Sequence, residues 1–263
     1  MLLGELLKER GVKFDILSRG YGRKSRGVLR VDPAGLPQQF GDEPLLIARK
    51  LLVPVIVGED RYEAGQFAES RFGPEVHLLD DGFQHRALAR DFDIVLVTPQ
   101  DASDPLLPAG RLREPLSTLH RADAVVLVSG ASEGAFPLEG KVVWRVKRGI
   151  ALHSVPARPV VFCGIARPQN FLLQLRMANV EPAAQAFYRD HHSYTERDVR
   201  ELLELKQRSE AGGFVTTEKD AVNLGPYLSF LAPAVVPVRM ELVDAANAVD
   251  TMLRKIDERR RGA

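Results

Sequence analysis

One cysteine, one tryptophan and a net charge of +1 are all that 263 residues offer of three features that often announce a protein class. A lone Cys163 excludes an intramolecular disulfide framework and fits a reducing compartment. It stands in the apolar run VVFCG, where a buried structural thiol is expected rather than a nucleophile. The near-neutral charge leaves no global pull toward nucleic acid or an acidic partner, and none is expected. No apolar run reaches the roughly 18 to 20 residues that a bilayer span needs, and no signal-peptide pattern opens the chain. A cytoplasmic protein is the expectation. The basic tail RKIDERRRGA could touch an anionic surface, but cations are equally at home at a solvated helix C-terminus.

What is present is a core-forming composition, 45% hydrophobic and 27% charged, enough for one large domain or two modest ones. Apolar runs at Val12–Leu17, Pro54–Val57, Val76–Leu79, Ile94–Val97 and Ala124–Val128 read as strands. Helical patterns at Glu43–Leu51 and Arg61–Phe72 separate the first of them, and Gly140–Val146 reads as a further strand or a connector. Continuous apolar strands alternating with helices predict a mostly parallel sheet covered on both faces. The Pro-rich segment SVPARP suggests a boundary, dividing residues 1–153 from 154–263. Beyond it a smaller α/β pattern follows: strand Val160–Cys163, helix Asn170–Met177, strand Ala184–Tyr188 and helix Glu196–Glu210. Strands Gly213–Thr216 and Ala234–Val238 and a helix from about Asp244 complete it.

Ligands of open α/β sheets bind outside the carboxyl ends of the strands. Three polar clusters fall there: SRGYGR, DDGFQH and LLPAGRLREP. The adjacent acids of DDGFQH would repel unless a cation or donors absorb them. Asp-Asp-Gly is also good turn chemistry. Turn-making alone does not require Arg19, Arg23, Gln84, His85, Arg111, Arg113 and Glu114 at the same edge. Arginine forks bind phosphate oxygens and carboxylates hold Mg²⁺. Phosphoryl transfer or nucleotide binding leads on this pattern; another α/β enzyme and a non-catalytic module stay open.

ILSRGYGRKSRG, GDEPLLIARK, HLLDDGFQHRALARDFDIVLV and LLPAGRLREPLSTLHRADAVVL, with FYRDHHSYT and FVTTEKDAVNL, carry a closer likeness. Together and in this order they resemble the tetraacyldisaccharide 4'-kinases, which phosphorylate a membrane-bound lipid A precursor. The resemblance implies a P-loop NTPase-like α/β core, residues 1–153, and a smaller C-terminal α/β lid or substrate domain, residues 154–263. It implies ATP and Mg²⁺ as cofactors, the lipid A precursor disaccharide as partner and no obligate protein partner. It also implies a peripheral place at the inner face of the cytoplasmic membrane. The family's Walker A loop, G-x-x-x-x-G-K-[ST], is absent from these 263 residues. Gly22-Arg23-Lys24-Ser25 imitates its end with Arg23 where the second glycine belongs. Gly134 to Lys141 has one residue too many between its glycines, and Val142 in place of the hydroxyl residue. The opening MLLGELLKERGVKFDILSRG resembles the helix after a P-loop, so the expectation is a first strand, P-loop and membrane segment upstream of Met1. Sheet closure would then be incomplete, with an exposed strand edge. A member that binds lipid or nucleotide without turnover is one rival reading. A metal-dependent phosphohydrolase that turns the Asp pair on water is the other.

By the same resemblance Asp42 is the base that takes the sugar hydroxyl's proton, although its place before a helix with Pro44 in the first turn also suits an N-cap. His191 is its expected partner, with His192 close behind; the pair is expected to form only when two domains close. Asp80 and Asp81 resemble a Walker B pair, Asp80 on the metal and Asp81 supporting catalysis, and Glu114 resembles a further metal or metal-water ligand. Arg61, Gln84, His85 and Arg113 are expected on phosphate or head group, and Arg19, Tyr21 and Arg23 on the acceptor side. Without the family, Arg61 reads as a solvated helix arginine. Lys219 is placed near the nucleotide base, or is a helix-start charge.

Overall fold

A computed structural model describes residues 1–262. Its elements follow the alternation of the sequence. Helix α1 (Leu2–Glu9) leads into β1 (Phe14–Ser18), β2 (Leu29–Arg30), α2 (Pro37–Phe40), α3 (Asp42–Leu51), β3 (Val55–Val57), α4 (Arg61–Phe72) and β4 (Val76–Leu79). Strands β5 (Ile94–Val97), β6 (Ala124–Val128) and β7 (Val142–Ile150) come next. Then come β8 (Val160–Cys163), α5 (Pro168–Met177), β9 (Ala184–Phe187), α6 (Glu196–Arg208), β10 (Phe214–Thr217), α7 (Glu218–Leu224) and α8 (Tyr227–Leu231). The chain finishes with β11 (Ala234–Val236), β12 (Val238–Leu242) and α9 (Ala245–Gly262).

Among the described residues the strands form three four-stranded sheets, ordered β2-β3-β1-β4, β11-β10-β8-β9 and β12-β7-β6-β5. Strand β1 runs parallel to β3 and β4, and β8 to β9 and β10. Strand β6 runs parallel to β5 and β7, while the short β2 is antiparallel to β3. This is the mostly parallel α/β architecture that the sequence pattern predicts.

Parallel strands buried on both faces need apolar residues at every position. VVFC of β8 shows why. Val160 and Phe162 pack on one side with Val199 and Leu202 of α6 and Leu231 of α8. Val161 and Cys163 pack on the other with Phe171 and Leu175 of α5. Cys163 is fully buried, and burial pushes its thiol up to about 12, which leaves an inert side chain. In the first sheet Leu17 and Ile56 meet Ala64 and Ala68 of α4. In the third, Val97, Val125 and Leu127 pack with Leu119 and Phe136.

The fold divides into two compact units. One comprises residues 13–80 and 149–239, the other residues 2–12, 81–148 and 240 onward. Residues 153 and 154, where the sequence suggested a boundary, both lie inside the first unit. In the second unit Arg10 pairs with Asp250, Arg259 binds Asp123, and Arg260 reaches Asp91 at 3.3 Å. The basic tail is therefore held by carboxylates over part of its length. No helix of the described residues is long and apolar enough to cross a membrane.

The expected single strand Ala234–Val238 is two strands in different sheets. Pro237 stands between them, and a residue without an N–H interrupts a ladder. Gly140–Val146 resolves as the strand β7, beginning two residues later. Helices α2, α7 and α8 and the two-residue β2 carry too few turns for their periodicity to show. Among the described residues strand β4 pairs only with β1 and β5 only with β6, and Leu96 of β5 is 53% exposed.

A buried charge sits on the first sheet. Asp15 is fully buried in β1, directly opposite His77 of β4, whose Nδ1 lies 2.8 Å from the Asp15 carboxylate. Glu69 stands 3.4 Å from the other ring nitrogen. The Asp15 hydrogen bond raises the His77 pKa, against burial and with help from the Glu69 charge. A raised histidine pKa stabilises the fold fully below the unfolded value of about 6.5 and loses that contribution as pH climbs through the folded value. Denaturant midpoints are expected to fall as pH rises above about 6.5 more steeply for the wild type than for His77→Gln, which keeps a donor toward Asp15 but does not titrate. Equal slopes would remove His77 as the cause.

Candidate active site

The first unit builds its most polar interior where α3 begins. Gly41 has φ +88°, and a Cβ there would stand 3.0 Å from the Tyr21 carbonyl oxygen, so the position requires glycine. Gly41 is the cap and Asp42 the first helical residue, which corrects the N-cap reading of Asp42. The Asp42 side chain bonds only its neighbour's N–H in the helix, Glu43 N at 2.9 Å, and does not reach the N–H groups farther along the first turn. Its carboxylate is free to face other segments while resting at the positive end of a helix.

Those segments come from the second half of the chain. His191 Nδ1 lies 2.9 Å from both Asp42 oxygens, and Asn223 Nδ2 donates to Oδ2 at 2.9 Å. Asp42 is 5% exposed, so three donors replace its water almost completely. An ionised carboxylate has about four acceptor positions. The contacts put two donors on each oxygen, with the His191 N–H shared between them, and Lys219 Nζ stands 3.9 Å from Oδ2. The pair exists within one compact unit, so the domain closure expected to assemble it is not required.

The histidine is His191. It sits on the loop between β9 and α6 with φ +58°, and the left-handed turn sends His191 and His192 to different neighbours. His192 stacks on Tyr188 with ring centres 4.5 Å apart, and its Nε2 meets Asp198 at 3.1 Å. Tyr194, three residues beyond His191, donates its hydroxyl at 2.8 Å to Asp220, which is fully buried and also accepts Gly164 N–H at 2.6 Å. Burial pushes the Asp220 carboxyl up, against the donors from Thr217, Tyr194 and Gly164. Gly164 leaves room for the loop, since a Cβ there would stand 2.9 Å from Arg189 O and from His192 Cβ. The His191 loop is thereby tied to the ends of β8 and β10.

Helix α7 completes the cluster. Lys219 Nζ lies 3.0 Å from Asp190, 3.2 Å from Glu43 and 3.2 Å from His191 Nε2. Burial opposes its charge, but the Asp42, Asp190 and Glu43 carboxylates outweigh burial and hold its pKa above the ordinary lysine value. Lys219 thus sits with the Asp–His pair, where the sequence placed it near a nucleotide base. Asn223 was not foreseen. Its signal was its spacing from Lys219 in TTEKDAVNL, because residues four apart share a helix face.

Around this centre the other expected residues divide. Tyr21 is 71% exposed, with its ring 5.2 Å from that of His191. Arg19 is exposed at the end of β1. Arg23 turns inward: its side chain is 3% exposed and binds Glu59 at 2.8 Å and Gly27 O at 2.8 Å. It braces its own loop from within. Arg61 is 6% exposed and donates to Gly58 O at 2.7 Å, so it is not a solvated helix arginine. Asp80 closes β4 and accepts Ser18 Oγ at 2.9 Å.

In the second unit Asp81, in left-handed backbone, pairs with Arg113 at 2.6 Å. Glu114 lies against Arg121 and, at 3.5 Å, Arg86. Arg121 also stacks over Phe83, 4.5 Å from the ring centre. Gln84 is exposed and His85 half-buried in the turn after β4, where His85 N–H bonds Gly82 O at 2.9 Å.

No group of three or more His, Cys, Asp or Glu among the described residues forms a ready metal cage. Mg²⁺ does not require one, since it is often held by one or two carboxylates with water and substrate phosphates. Asp80, Asp81 and Glu114 offer the hard oxygens it prefers. Neither imitation of a Walker A loop starts a helix: Ser25 turns its hydroxyl to Gln39 O, and the segment after Gly134 runs into β7. They supply no helix N-terminus for phosphates.

The chain matches the family described as tetraacyldisaccharide-1-P 4'-kinase over residues 1–257. It is similar to the tetraacyldisaccharide 4'-kinase of Koribacter versatilis, with 51% identity over 99% of this chain and 84% of that protein. The Geobacter metallireducens enzyme of the same name is 36% identical over 97% of this chain and 82% of its own length. Among solved structures, the "apo" form of LpxK from Aquifex aeolicus in complex with ATP superposes with a TM-score of 0.75. The two are 32% identical over 97% of this chain and 82% of that one. With an Asp–His pair at a helix start, and this likeness along nearly its whole length, the chain belongs to the tetraacyldisaccharide-1-phosphate 4'-kinase family, transferases of lipid A biosynthesis.

Proposed function

We propose that this chain phosphorylates the 4'-hydroxyl of a tetraacyldisaccharide 1-phosphate at the expense of ATP, with Asp42 as the group that receives the hydroxyl proton. The observation that carries the reading is the Asp42–His191 pair, buried at the start of α3. Phosphoryl transfer is mostly positioning and charge stabilisation, so the protein's task at the acceptor is to hold a hydroxyl in line and accept its proton. His191 holds the Asp42 carboxylate through Nδ1–H, and Asn223 and Glu43 N–H hold the rest. Tyr21, largely exposed beside His191, offers a ring face to the sugar. Arg19 is assigned to the same acceptor side, with Arg23 bracing the loop that carries both.

Asp80 is assigned to Mg²⁺, which supplies neutralisation of phosphate charge when bound; Glu114 is assigned to the metal or its water, and Asp81 to supporting catalysis. Arg113, Gln84 and His85 are assigned to phosphate or head group, and Arg61 to bracing the start of α4 rather than to direct contact. The boundary at 153/154 divides roles rather than compact units. Residues 1–153 provide the kinase core with Asp42, and residues 154–263 provide the smaller domain with His191, Lys219 and Asn223. A peripheral place at the inner face of the cytoplasmic membrane is the location that a lipid substrate supports.

The test is transfer of the γ-phosphate of ATP·Mg²⁺ to tetraacyldisaccharide 1-phosphate in detergent micelles. Asp42→Asn is expected to lower kcat by about 10²- to 10⁴-fold. His191→Ala, which leaves the base but frees its orientation, is expected to cost about 10- to 100-fold. Wild-type turnover in Asp42→Asn would sink the assignment of the base. Release of inorganic phosphate from phosphate esters without ATP would replace the kinase reading with a phosphohydrolase, and lipid binding with no transfer would leave a non-catalytic member.

A further inference from the structure

Lys219 is bound up with the Asp–His pair in a way that its sequence motif does not foretell. An ammonium only donates, and its three N–H groups have three partners within 3.2 Å: Asp190, Glu43 and His191 Nε2. His191 Nε2 must therefore present its lone pair to Lys219. An ionised carboxylate only accepts, so Nδ1 must carry the proton that faces Asp42. The two neighbours dictate one neutral tautomer of His191, with the proton on Nδ1. The same helix sends Asn223, one turn further on, to the other Asp42 oxygen.

We propose that Lys219 is a positioning residue for the phosphoryl-acceptor site: it caps His191 Nε2, holds the ring in its Nδ1–H tautomer, and so keeps Asp42, rather than the imidazole, as the group open to the substrate hydroxyl. The inference rests on the assignment of Asp42 as base. It adds that His191 cannot itself take the proton at Nε2 while the ammonium is there. It also distinguishes Lys219 from a plain staple between α3 and α7. That staple exists independently one residue away, in the ion pair of Lys50 with Glu218. Lys50→Met therefore removes a link between the same two helices without touching the pair.

The readout is the pair of His191 ring-nitrogen shifts in the full chain labelled with ¹⁵N-histidine, recorded without ligand at neutral pH, alongside kcat and KM with ATP·Mg²⁺ and tetraacyldisaccharide 1-phosphate. In the wild type and in Lys50→Met, His191 is expected to show a single Nδ1–H tautomer. In Lys219→Met a second, Nε2-protonated population is expected, with kcat down by about 10- to 100-fold and KM within about twofold. Lys219→Arg, which restores a cation on the same stem, is expected to recover the tautomer and part of the rate. Should Lys219→Met not fold, Lys219→Gln, which keeps the stem and loses the charge, takes its place. An unchanged tautomer in the folded variant would overturn the proposal whatever the rate, and so would an equal loss of kcat in Lys50→Met. The nitrogen shifts do not depend on turnover. Failure of Asp42 as base would show in the Asp42→Asn rate while the tautomer stayed as described.

Discussion

The site depends on keeping one carboxylate charged where water scarcely reaches it. An isolated buried anion is costly enough that a protein neutralises it or surrounds it with donors. Asp42 takes the second course: a helix start beneath it, Glu43 N–H at its side, His191 and Asn223 in front. His191 and Asn223 sit on different elements, 149 and 181 residues from Asp42 in sequence. Burial of one charge thus holds α3, the His191 loop and α7 together. Removing the charge and removing its partners are not equivalent changes, because only the second leaves a buried anion with too few donors.

The supports of that arrangement are themselves polar and buried. Asp220 accepts from Gly164, Tyr194 and Thr217, and through Tyr194 it fixes the far end of the histidine loop. Gly41 and Gly164 are required by close approach rather than by turn type alone: one lets the Tyr21 carbonyl come near, the other lets the His191 loop pass. A network of this kind is worth having only when every member is satisfied, since a half-satisfied buried network is worse than an apolar core. That explains why His191 can adopt a left-handed backbone, which is uncommon for a residue with a side chain. The loop has little freedom to relax elsewhere.

Much of this was legible in the sequence, and the part that was not follows a physical pattern. Strands such as VVFC and AVVLV announce themselves because burial on both faces leaves no polar position. GDEP and RDHHSY could be read as two halves of one site because Gly, Asp and His carry chemistry that a bare turn does not demand. What a sequence conceals is direction. Arg23 and Arg61 are arginines in a cluster of arginines, yet both side chains turn into the protein and bind backbone carbonyls, Arg23 also binding Glu59. Which way a long side chain points depends on carbonyls and acids brought in by the fold. Asn223 lay in plain view one turn from Lys219, but an asparagine in a helix has no signature until its partner is known. By apolar content Ala234–Val238 looks like one strand, and Pro237, which cannot donate to a ladder, marks the break between two.

The division of the chain carries the same lesson at a larger scale. A Pro-rich stretch at 154–159 looks like a hinge, and hinges suggest catalysis by closure. In the folded chain the segments on either side share a compact unit, and ion pairs and hydrogen bonds between α3 and α7 join them: Lys50 with Glu218, Lys219 with Glu43, Asn223 with Asp42. An acceptor site made from both halves gains rigidity that a site assembled only on closure lacks. Phosphoryl transfer benefits from that rigidity on the acceptor side, where a hydroxyl must be held in line and its proton given a single destination. Two histidines stand in adjacent positions, and the fold spends one on stacking against Tyr188 and Asp198 and the other on Asp42. With Lys219 against its second nitrogen, His191 turns Nδ1 to Asp42, the arrangement that the proposed role of Asp42 as base requires.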